Sequence, residues 1–94
     1  MTSYWLIDLP PGNGIWDQGI SFSPGIVNPY TPVFASICEV NQDWTSLGHI
    51  GAATMRISNI VPLEDEVVLR IEVDWNWPLP TQVALAIGPE FGTL

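Results

Sequence analysis

Four consecutive residues, Asp74-Trp75-Asn76-Trp77, place a carboxylate, an amide and two indoles in one short stretch closed by Pro78. These are the groups that recognise sugars. An indole face covers the apolar C–H patch of a pyranose ring, while carboxylate and amide oxygens accept its hydroxyl protons. Pro78 and Pro80 stiffen the turn that presents them, which lowers the entropy lost on binding. The competing reading is packing: Trp75 continues the apolar parity that precedes it and plugs a core, and Trp77 covers the end of a sandwich. A second polar-aromatic loop, Asn41-Gln42-Asp43-Trp44, is open to the same two readings.

Catalytic chemistry is less well supplied. His49 is the only histidine, and general acid–base work needs a nucleophile or carboxylate within its reach. A structural or exposed role is the better expectation for it. Glu72 and Asp74 lie two residues apart on one strand face, as acid–base carboxylates sometimes do. Arg70 shares that face, so a salt-bridged ladder across a sheet is preferred. Cys38 has no second cysteine to pair with, and a packed thiol is expected. Gly12-Asn13-Gly14 has no helix after it to make a phosphate loop. Leu63-Glu64-Asp65-Glu66 lacks the glycine and alternating oxygen ligands of an EF-hand, leaving a calcium ion in that acidic loop as the weaker alternative. No catalytic residue, metal or cofactor is expected.

The elements that position these residues read as strands. From residue 67 to 75, Val67, Leu69, Ile71, Val73 and Trp75 share one parity, and Val68, Arg70, Glu72 and Asp74 the other. Period two of this length marks a strand with one dry face. After a WNWPLP break, Val83, Leu85 and Ile87 repeat the pattern in a strand over 81–88. Further strands are expected over 4–9, 19–23, 32–41 and 50–58. Loops are expected at 10–14, 26–31 and 41–48, with a turn around Pro62 over 60–65. Nine prolines and eight glycines oppose long helices. The fold class is all-β, a six- to seven-stranded antiparallel β-sandwich.

Ninety-four residues make a single domain over 1–94. Ten carboxylates face only Arg56 and Arg70, with no lysine, for a net charge of −8. Such a chain repels phosphate backbones and anionic lipid headgroups, so neither nucleic acid nor a membrane is an expected partner. No apolar run approaches the roughly 18 residues of a membrane span. The first residues lack the basic start of a signal peptide, so a cytoplasmic or non-classically released protein is expected.

Several strands are apolar on both faces. Phe34, Ser36, Cys38 and Val40 lie opposite Val33, Ala35 and Ile37; Ala84 and Ala86 lie opposite Val83, Leu85 and Ile87; Ile50, Ala52, Thr54 and Arg56 lie opposite Ala53, Met55 and Ile57. A sheet with one face in water shows clean alternation. The second face is therefore expected to meet another sheet or another copy, with a homo-oligomer preferred to a monomer with a wide, doubly covered sheet.

The order of segments over about residues 19–88 resembles the H-type lectin family, the snail-agglutinin and discoidin C-terminal domain type. The pieces are Ile20-Ser21-Phe22, a bend through Pro29, Thr31-Pro32-Val33, the loop at Asn41-Gln42-Asp43, Ile60-Val61-Pro62, Trp75, and Ala86-Ile87-Gly88. The resemblance implies a six-stranded sandwich that assembles as a trimer or a hexamer built as a pair of trimers. It also implies a galactose- or N-acetylgalactosamine-type site between subunits. The family's Trp-His pair falls on Trp75-Asn76, where an amide replaces the ring. Its arginine on the fourth strand falls near Ala52, with Arg56 four positions on and on the same parity. Asp74, Trp75, Asn76, Trp77 and Arg56 are therefore the candidate carbohydrate-binding residues, and a neutral glycan is the expected ligand. Two alternatives stand beside a multivalent lectin-like module: a tail-fibre-like assembly module without a sugar site, and a small enzyme with an intersubunit pocket.

Overall fold

Alternation builds the centre of the molecule. In β6 (Glu66–Asp74) every second residue, Val67, Leu69, Ile71 and Val73, is buried. In β7 (Leu79–Ile87) Val83, Leu85 and Ile87 are buried in the same rhythm. Each such side chain removed from water stabilises the fold by about 1.5–3 kcal/mol before entropy is counted. The structure, a computed structural model, describes residues 2–40, 48–49 (backbone) and 53–89. Its other strands are β1 (Ser3–Gly12), β2 (Gly14–Ser21), β3 (Val33–Val40), β4 (Gly48–His49) and β5 (Thr54–Leu63).

Six full strands make two antiparallel three-stranded sheets, β1-β7-β3 and β2-β6-β5, with the two-residue β4 added beside β3. The sheets form a β-sandwich. The two most regular strands, β6 and β7, are central in their sheets, and the core is the space between their dry faces. Ile7 and Leu9 from β1, Trp16 and Ile20 from β2, Val33, Ala35 and Ile37 from β3, and Met55, Ile57 and Ile60 from β5 close around it. Val27, buried in the loop between β2 and β3, seals one end. Its carbonyl accepts the Asp65 amide at 3.0 Å, and the Asp65 carbonyl accepts the Phe22 amide at 2.9 Å.

Prolines mislead the sequence expectation in three places. Residues 10–14 read as a loop, yet β1 runs through Pro10 and Pro11 to Gly12, and β2 begins at Gly14. The β1–β7 register breaks between Leu9 and Gly12, opposite Pro80. Three residues without an N–H thus meet at a bulge, where the ladder needs no donor. Pro80, read as part of the stiffened turn, is buried inside β7, and so is Leu79. Residues 60–65 read as a turn around Pro62, yet Ile60, Val61 and Pro62 lie in β5 and the turn is at Glu64-Asp65. Strand β5 is at a sheet edge, which tolerates a proline. Asp65 takes the left-handed conformation there (φ 60°), one that Asp accepts more readily than most residues.

Other bounds shift as well. The strand expected at 50–58 begins at Thr54 and extends to Leu63, and the one expected at 19–23 begins at Gly14. A register shift between Ile57 and Asn59 resets the alternation, so that Ile60 rather than Asn59 joins the core. Val40, assigned to the face away from the core, is buried. Ile50, Ala52 and the loop at Asn41-Gln42-Asp43-Trp44 lie outside the described residues, as does the side chain of His49.

Candidate functional site

The outward parity of β6 presents Arg70, Glu72 and Asp74, and the flanking strands supply their partners. Arg56 on β5 stands directly across from Glu72. Its Nε donates to Glu72 Oε2 and its Nη2 to Oε1, both at 3.0 Å, a fork-to-carboxylate pair. On the other side Asp17 of β2 stands across from Arg70. Arg70 Nε donates to Asp17 Oδ1 at 2.9 Å and Nη2 to Oδ2 at 3.3 Å. The two arginines hold Glu72 and Asp17 below the ordinary carboxylate range, chiefly through these hydrogen bonds, and are themselves raised. Both carboxylates thus stay ionised to lower pH than free ones.

At the Asp74 end of this ladder lies an open cleft of about 430 Å³. Arg56, Glu72 and Asp74 line it together with Thr54, Ile15 and the backbone at Gly14. Thr54 faces Asp74 across the β5–β6 pair. Ile15 is 68% exposed and offers an apolar surface beside the charges. Gly14 has φ 82°, a conformation that glycine adopts without strain, where the chain turns from one sheet to the other. The cleft thus offers guanidinium donors, carboxylate acceptors and a hydroxyl around one apolar side chain. That set suits a small polyhydroxylated ligand.

The aromatic part of the site sits on the bend after β6. Trp75 is half-buried and packs against the core, as the packing reading expects. Trp77 is 53% exposed and meets Trp75 edge to face, with ring centroids 5.4 Å apart and planes at 74°. Asn76 is exposed between them. Asn13 reaches this bend from the corner between β1 and β2, its Nδ2 donating to the Trp75 carbonyl at 3.4 Å.

The structure therefore brings Arg56 and Asp74 into one cleft, and holds Trp75, Asn76 and Trp77 on the adjoining bend, outside its lining. Sequence reasoning identified the outward face of β6 but missed Asp17, Ile15, Thr54 and Asn13 as neighbours. Thr54 shares the parity of Arg56 and was within reach of that argument. Asp17 was not, because nothing in the sequence pairs it with Arg70, 53 residues away. No family model matches the chain, and no curated protein or solved structure matches it.

Proposed function

We propose that the protein is a carbohydrate-binding, H-type-lectin-like module for a neutral galactose- or N-acetylgalactosamine-type sugar, multivalent through homo-oligomerisation. Sites at subunit boundaries, in a trimer or a hexamer, gain avidity that a single shallow site lacks. The observation that carries the proposal is the cleft in which Arg56, Glu72, Asp74 and Thr54 converge beside the Trp75–Trp77 bend. Paired charges there are already oriented, so a hydroxyl group meets donors and acceptors in fixed positions. The acidic rim disfavours sialylated and sulfated glycans by like-charge repulsion. A second support is the antiparallel sandwich itself, the fold that the resemblance implies.

An enzymatic role fits the cleft less well. A general acid near neutral pH needs a raised carboxyl pKa, whereas Arg56 pulls Glu72 down. The assembly-module alternative draws on a different observation, the apolar outer face of the other sheet.

Titration with free galactose and N-acetylgalactosamine, followed by tryptophan fluorescence, tests the proposal. Binding is expected to be weak and saturable. It should fall at least several-fold in Arg56→Met and in Trp77→Ala, with the melting temperature little changed. Equal binding by both variants and the parent would move the sugar elsewhere on the surface.

A further inference from the structure

The outer face of the β1-β7-β3 sheet is apolar where a solvated sheet would be polar. Its register puts Tyr4, Ala86 and Phe34 in one row, Leu6, Ala84 and Ser36 in the next, and Asp8, Gln82 and Cys38 in a third. Tyr4 is 79% exposed, Leu6 72% and Phe34 68%. Tyr4 and Leu6 on one flanking strand and Phe34 on the other rise above Ala84 and Ala86 on the central one, so this end of the face carries a shallow groove over the alanines. The only charged side chain in the three rows is Asp8, whose Oδ1 accepts Gln82 Nε2 at 3.1 Å.

We propose that this face docks a second copy of the chain, sheet on sheet about a two-fold axis, with the raised Tyr4, Leu6 and Phe34 side chains of each copy against the alanines of the other. Two arguments select that occupant. Charge is the first. Copies of a chain with net charge −8 repel one another, and the opposite outer face carries Asp17, Glu72 and Asp74 against Arg56 and Arg70. The apolar face lets two copies approach with the fewest carboxylates between them. Area is the second. Three strands about 4.8 Å apart and some seven residues long give a flat footprint of roughly 340 Å², and Tyr4, Leu6 and Phe34, each more than two-thirds exposed, raise the accessible area above it. A pair that closes the whole of both faces approaches the roughly 1,000 Å² in total that a specific interface needs. A two-fold contact sets the same patch of each copy against the other, so raised side chains of one copy meet the small residues of its partner. In a pair of trimers this face supplies the contact that joins the two halves.

The inference rests on the assembly part of the proposed function and is independent of the sugar. Light scattering of the full chain at micromolar concentration and moderate salt tests it. An even multiple of 10.4 kDa is expected. Leu6→Glu and, separately, Phe34→Glu should each halve that mass while far-UV circular dichroism keeps its β signal. Both side chains already point to solvent, so folding does not depend on them; should either variant misfold, Tyr4→Glu takes its place. Val61→Glu, on the outer face of the opposite sheet, should leave the mass unchanged. A monomeric parent overturns the inference, as does an odd multiple, or a mass indifferent to the face variants. A parent that pairs but binds no sugar upholds this contact and sinks the sugar proposal instead.

Discussion

At the scale of single residues, the two arginines decide how the charged face behaves. The Arg70–Asp17 pair is about half exposed on both sides (52% and 54%), so water screens it and its net contribution is small. Arg70→Met should therefore lower the thermal midpoint only slightly. A loss as large as a core deletion would contradict the exposed geometry. The pH dependence has a definite sign. Asp17 has a lowered folded pKa, so its contribution is full above the ordinary carboxylate range and is lost as pH falls through the lowered value. The difference in midpoint between parent and Arg70→Met should then shrink toward zero on acidification below about pH 4. Comparing the two proteins cancels the relief of overall repulsion that acid brings to both. A difference that stays constant with pH would show that the pair contributes nothing specific. The outward parity of Arg70, Glu72 and Asp74 was legible in the sequence because period two is a local property. The identity of Arg70's partner was not, because register between strands distant in sequence is fixed only when the sheet forms.

At the scale of elements, β6 and β7 explain both what could be read and what could not. Apart from Leu79, Pro80 and Thr81 at the start of β7, their buried positions follow from alternation, and the structure buries each of Val67, Leu69, Ile71, Val73, Val83, Leu85 and Ile87. Leu69→Ala should cost about 2–5 kcal/mol in chemical denaturation, the range for a fully buried leucine that leaves a cavity. A cost below about 1 kcal/mol would mean that the site collapses or is not central. Edge strands were harder to delimit. Pro10, Pro11 and Pro62 carry a breaker signal, but a bulge or an open edge has no donor to lose there. Residues 57–60 show the same limit, since an unpaired residue resets the alternation at a place that no local rule marks. The break at Trp75-Asn76-Trp77 was legible from its prolines and the end of alternation, whereas the edge-to-face contact of its two indoles was not.

At the scale of the whole molecule, the two outer faces divide the chemistry. One carries a ladder of paired charges that ends in a cleft, and the other is nearly uncharged with three large exposed apolar groups. Apolar contact between negatively charged copies should persist or strengthen as salt screens their repulsion. Raising sodium chloride from low to molar concentration should therefore not dissociate the assembly in sedimentation. Dissociation by salt would mean that ion pairs hold the copies together. The central claim, that the charged face binds a neutral sugar, is tested most directly by a glycan array probed with the parent, Arg56→Met and Trp77→Ala at matched assembly mass. Selective signal on uncharged galactose- or N-acetylgalactosamine-terminated glycans, lost or sharply reduced in both variants, is the predicted result. A parent that binds no glycan on a densely printed array, where avidity favours even weak sites, would contradict it.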